Sequence, residues 1–133
     1  MKNITWSDTL SIGVEEVDDD HRRLADLFNL FVQAVIDEEQ PDYVEALLAE
    51  LISFTTWHFR HEERLMLKYD YPAFDDHKED HRYLLEAVGE LQEKFLAADK
   101  QVTEEDIEYL ERWLIEHIMV SDMPMGSHLS SAM

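Results

Sequence analysis

Apolar positions recur at three- and four-residue spacing in four stretches of the chain, the pattern of helices with one buried face. The first, over about 19–37, sets His21, Leu24, Leu27, Phe28, Phe31, Val32 and Val35 on one stripe behind a run of helix-starting aspartates. The second begins at Pro41, a residue suited to a first helical turn, and runs to about 68 with Leu47, Leu51, Phe54, His58 and Leu65 in register, until Tyr71-Pro72 stops it. The third, 73–97, aligns His77, His81, Leu84, Val88, Leu91 and Phe95. The fourth, 104–119, aligns Ile107, Leu110, Leu114 and His117, and Thr103 with Asp106 is spaced as a capping box at its start. The flanks read as an N-terminal arm (1–18) and a polar C-terminal tail (123–133). Short connections between long helices favour antiparallel neighbours, so the pattern predicts one all-α domain over 1–133: an up-down-up-down antiparallel four-helix bundle with an N-terminal arm.

That topology has a chemical consequence. His21 lies near the start of the first helix, His58 towards the end of the second, His77 and His81 near the start of the third and His117 at the end of the fourth, so all five fall at one end of the bundle. With a rise of ~1.5 Å per residue they sit within roughly two turns of one another along the axis. His58 and Glu62 are four residues apart on one helix face, as are His77 and His81. The five-residue step from His117 to Asp122 advances ~140° on a regular helix, so Asp122 reaches the same place only where the helix ends or distorts. His61 projects from a different face than His58 and reads as a supporting or surface residue; His128, in the tail, reads as solvated.

Composition then narrows the chemistry. The 31 acidic residues against 11 basic ones, net charge −20, exclude nucleic acid and acidic membrane surfaces as partners. The absence of cysteine removes disulfides, thiolate sites and iron–sulfur clusters, leaving imidazole and carboxylate as metal ligands. No apolar run approaches the ~18 residues of a membrane span and no signal-peptide pattern opens the chain, so a cytoplasmic location is expected. Acids are so frequent that Glu62 or Asp122 alone says little, whereas five converging histidines are informative. Burying them without a metal would strand polar nitrogens and accumulate charge in a low dielectric. With Glu62 and Asp122 they exceed what one six-coordinate ion can hold, which implies two ions and disfavours a structural zinc. Two such ions, bridged by both carboxylates and one oxygen, keep a single position open, enough for a diatomic ligand.

The ordered pattern of His21, His58-x-x-x-Glu62, His77-x-x-x-His81 and His117-x-x-x-x-Asp122 resembles the hemerythrins. Trp6, Gly13-Val14, Asp18 with His21, His58-Phe59, Tyr71-Pro72 and Trp113-Leu114 are similar to its bacterial members, so the resemblance spans residues 6 to about 122. It implies two irons with a bridging oxo or hydroxo group: one held by His77, His81 and His117, the other by His21 and His58, with Glu62 and Asp122 across both. The open position then belongs to the second iron, with Leu114 against the bound oxygen. The implied function is reversible binding of molecular oxygen by a monomeric carrier, store or delivery protein, not an enzyme, with an oxygen-consuming recipient unidentified. The alternatives are an oxygen or redox sensor acting through a partner, and a di-iron enzyme acting on peroxide or nitric oxide. Related bundle oxidases use about four carboxylates, and the scarcity of anions here favours binding over oxidation. One departure is Met123-Pro124-Met125-Gly126-Ser127, which replaces the aromatic-containing tail common in the family.

Overall fold

The four stripes become four helices in a computed structural model that describes residues 7–97 and 101–133. They are α1 (Glu15–Ile36), α2 (Pro41–Lys68), α3 (Phe74–Ala97) and α4 (Glu104–Glu116). α1 packs on α2, α2 on α3 and α3 on α4, forming an all-helical four-helix bundle. Trp6, part of the pattern above, lies outside the described residues. Among those described, no helix is long and apolar enough to cross a membrane.

The helix ends follow local chemistry. α1 and α2 each terminate in a residue with left-handed backbone, Glu38 and Asp70, both at φ 54°. The next amide then reaches back five residues, Glu39 N–H to Ala34 O at 3.0 Å and Tyr71 N–H to Met66 O at 2.9 Å, which satisfies carbonyls the helix leaves free. At the start of α4 the capping box is formed: Thr103 Oγ1 accepts from the Asp106 amide at 3.1 Å and Asp106 Oδ2 accepts from the Thr103 amide at 3.2 Å.

Two boundary expectations are corrected. The arm is shorter than 1–18, because α1 already begins at Glu15. The aspartates do not precede the helix; Glu15, Glu16 and Asp18 occupy its first turn, where carboxylates suit the exposed amides and the helix dipole. Asp18 folds back to accept from Ile12 N–H at 2.9 Å and Ser11 Oγ–H at 2.6 Å, while Gly13, at φ 83°, turns the chain into the helix.

The tail is not a polar coil either. Residues His117–Asp122 form one π-helical segment, and Met123–Ala132 continue as a further helix, α5, with Pro124 in its first turn. Met125, Gly126 and Leu129 are buried. Gly126 lies so close to the arm that a Cβ built on it would sit 2.3 Å from Ile12 O, so only glycine permits the contact. His128 is half-buried, and its Nε2–H donates to Tyr69 O at 2.8 Å, so it joins α5 to the α2–α3 turn instead of facing water.

Candidate metal centre

One end of the bundle is filled not by aliphatic side chains but by His21 from α1, His58 and Glu62 from α2, His77 and His81 from α3, and His117 and Asp122 from the π segment. None is more than 6% exposed. All seven sequence candidates are brought together, in two overlapping groups. Glu62, His77, His81, His117 and Asp122 form one; His21, His58, Glu62 and Asp122 form the other; within each, the candidate ligand atoms lie within 4.8 Å of one another.

The two carboxylates divide between the groups oxygen by oxygen. Glu62 Oε1 lies 2.9 Å from His81 Nε2 and 3.5 Å from His77 Nε2, while its Oε2 lies 2.9 Å from His58 Nε2 and 3.4 Å from His21 Nε2. Asp122 repeats the division, with Oδ1 at 3.1 Å from His77 Nε2 and 3.0 Å from His117 Nε2, and Oδ2 at 3.0 Å from His21 Nε2. Asp122 gets there because the π segment, with its i→i+5 bonding, returns the residue five after His117 to the same face. The distortion required by the sequence spacing is therefore present, as a widened turn and not as a helix end.

These residues pass a simple test of fitness for a metal. The Nε2 atoms of His58, His77, His81 and His117 and all four oxygens of Glu62 and Asp122 are buried without a well-formed hydrogen bond, although oppositely polarised atoms lie this close. Buried polar atoms are nearly always hydrogen-bonded, so atoms that converge in this way without such bonds form a set that could hold a cation. Electrostatics agree. Burial pushes the His58 and His77 imidazoles down, but the nearby carboxylates, and for His58 the bond to Asp20, outweigh it and raise them to about 10 and about 9. His21 and His117 are raised against burial in the same way. Burial raises Glu62 and Asp122, yet the surrounding imidazoles hold both below the usual carboxylate range. A pocket that draws protons onto imidazole nitrogens draws metal cations to the same lone pairs.

The other face of the imidazoles shows what sequence reasoning missed. His58 Nδ1 faces Asp20 at 2.8 Å, His81 Nδ1 faces Glu63 at 2.9 Å and His117 Nδ1 faces Asp80 at 3.1 Å, so three carboxylates fix the tautomer that leaves Nε2 bare. Asp80 also accepts from Ser121 Oγ–H at 2.8 Å, and the Phe59 ring stacks on His81 at 3.9 Å, only 3° from parallel. His61 is no part of either group and instead bonds Asp20 through Nδ1 at 2.6 Å. Leu114, 5% exposed, stands with His21, Leu24, His58, Phe59, Trp113, His117 and Ile118 around a void that admits a single water-sized molecule.

Comparison with known proteins agrees with this arrangement. A family model described as the hemerythrin HHE cation binding domain matches residues 12–128. The bacteriohemerythrin of Pseudomonas paraeruginosa is 32% identical over 122 residues, covering 92% of this chain and 78% of the relative. That of Methylococcus capsulatus is 30% identical over 132 residues, covering 98% of this chain and all of the relative. Among solved structures, a wild-type hemerythrin superposes with a TM-score of 0.87 at 28% identity, covering 97% of this chain and 99% of that one. A hemerythrin variant with a leucine replaced by alanine gives 0.88 at the same identity, covering 98% and 99%. By the family match along nearly its whole length and these relatives, the chain belongs to the hemerythrin family.

Proposed function

We propose that the chain binds molecular oxygen reversibly at a non-haem di-iron centre, with His77, His81 and His117 on one iron, His21 and His58 on the other, and Glu62 and Asp122 bridging. The carrying observation is the division of the carboxylate oxygens, one of each pair towards the three-histidine group and its partner towards the two-histidine group. A carboxylate serving a single ion has no need to face imidazoles on both sides. The smaller group has one imidazole fewer, and both of its imidazoles line the void, against His117 alone from the larger group. Two ferrous ions held by these residues would supply the two electrons that oxygen takes up on binding and returns on release.

The protein's own part is to hold and to exclude. The Nδ1–H bonds to Asp20, Glu63 and Asp80 hold the rings of His58, His81 and His117 with Nε2 aimed inward. Leu24, Phe59, Trp113, Leu114 and Ile118 give the void apolar walls, which disfavour water and small anions. Among the described residues, only Glu62 and Asp122 point carboxylate oxygens at the inward Nε2 atoms. Two anions stabilise high iron oxidation states less than the four of the bundle oxidases, so binding is favoured over turnover. The test is to reduce the iron-loaded protein anaerobically, add oxygen and then remove it under argon. Two irons per chain, uptake of one oxygen per pair and return of the reduced spectrum are expected. Direct passage to the oxidised form, or sustained consumption of oxygen or peroxide, would refute the proposal.

A further inference from the structure

We infer that Asp20, pinned by His61, is a positioning residue that sets the metal affinity of the two-histidine half of the centre; this deepens the di-iron reading and rests on it. The connection is continuous. Asp20 Oδ2 lies 2.8 Å from His58 Nδ1 and 2.6 Å from His61 Nδ1, so one oxygen takes both bonds. The far nitrogen of His61, Nε2, lies 3.2 Å from Glu16 Oε1, and the Trp57 ring packs at 5.3 Å against the same imidazole. Both His61 nitrogens thereby face α1 carboxylates, Asp20 and Glu16, which sets His61 apart from the two groups that share Glu62 and Asp122.

The two halves of the centre do not depend equally on such support. Three imidazoles chelate even if one ring swings, whereas a two-imidazole site loses half its nitrogen donors when His58 turns. Asp20 selects the His58 tautomer with Nδ1–H outward and Nε2 bare, and holds the ring plane. A carboxylate with a single partner can still rotate about its own bond. The second bond from His61 to the same oxygen removes that freedom, and the Glu16 contact and Trp57 packing fix His61 in turn. A residue outside both ligand groups therefore acts on the iron that is proposed to take oxygen.

The experiment is an anaerobic Co2+ titration of the full-length chain, following stoichiometry and the visible spectrum, with thermal melting of each metal-free variant as a check on folding. Wild type should take two ions. Asp20→Ala should weaken one of them by roughly 10–100-fold and leave the affinity and spectrum of the other unchanged. Asp20→Asn, which keeps an acceptor oxygen, should fall between it and wild type. His61→Phe, which keeps a ring against Trp57, should weaken the same ion by roughly 3–10-fold, the effect of one hydrogen bond. Wild-type affinity for both ions in Asp20→Ala, or equal weakening of both, overturns the inference, as does His61→Phe titrating like wild type. A wild-type chain that takes fewer than two ions overturns the di-iron reading as well and so marks a different failure.

Discussion

Metal-free and metal-loaded protein should respond to pH with opposite signs. In the metal-free fold His58 titrates at about 10 and His77 at about 9, because attraction to Glu62, Asp122 and, for His58, Asp20 exceeds the effect of burial. The unfolded chain releases the same protons near ~6.5. Folded values above unfolded ones mean that the native state keeps protons the unfolded state has lost. The resulting stabilisation is complete below pH ~6.5 and is lost as pH rises towards 9–10. One such group is worth about 1.4 kcal/mol per pH unit, so His58 and His77 alone contribute at most about 5 kcal/mol over pH 7–9, and His21 and His117, also raised, act with the same sign. All four draw on the same two carboxylates, which brings the expected loss to roughly 2–4 kcal/mol, or a fall of roughly 10 °C in Tm. Bound metal reverses the sign. Ligand imidazoles must be deprotonated, so their effective folded values fall below ~6.5 and stability is lost as pH drops beneath it. Melts followed by circular dichroism from pH 5 to 9, anaerobically, with and without two equivalents of Fe2+, read both slopes. A metal-free Tm that does not fall between pH 7 and 9, or that tracks the loaded protein, would refute the electrostatic account of the centre.

Leu114→Ala should cost ~2–5 kcal/mol as a core truncation and, by enlarging the void beside His21 and His58, speed conversion of oxygen-bound protein to the oxidised form. Leu48→Ala, a buried leucine lining a different void with Phe31 and Phe95, is the control, and equal oxidation rates would make Leu114 an ordinary core residue. Asp122→Ala removes an oxygen from each half of the centre, so iron analysis should show fewer than two ions per chain; full retention would count against a bridging role. Gly126→Ala places a methyl 2.3 Å from Ile12 O and should cost ~1–3 kcal/mol or more as α5 shifts off the arm. An unchanged melt would show that α5 does not need that close approach.

The helices and the seven inward residues were legible for one physical reason: histidine is rare enough, and helical periodicity strict enough, that the stripes fixed both face and level. Even the need for a distortion before Asp122 followed from the angle per residue. Other features were hidden by ambiguity in the same signals. Asp20, Glu63 and Asp80 sit among 31 acidic residues, and nothing in their spacing separates a carboxylate bonded to Nδ1 from one in water. The 18–20 aspartates suit either a cap or a first turn, and contact of Asp18 with Ile12 and Ser11 decided for the latter. Pro124 and Gly126 lie in the stretch that reads as a polar tail, yet proline fits a first turn and the glycine answers to the backbone of Ile12, a partner more than a hundred residues earlier. His128 looked solvated because its acceptor, Tyr69 O, belongs to the main chain.

The π segment can be viewed as an α-helix holding one residue more than its winding needs. Its most outward side chains, Met119 at 50% and Val120 at 72% exposed, are where that extra length is stored. Deleting either would leave His117 and the aspartate four residues apart, a spacing an ordinary helix already places on one face. Straightening the segment at full length is different: everything beyond it would rotate by ~100°, taking Asp122 away from the imidazoles and Gly126 away from Ile12. The wide turn is thus held from both sides, by the charged cluster before it and by the seating of α5 after it.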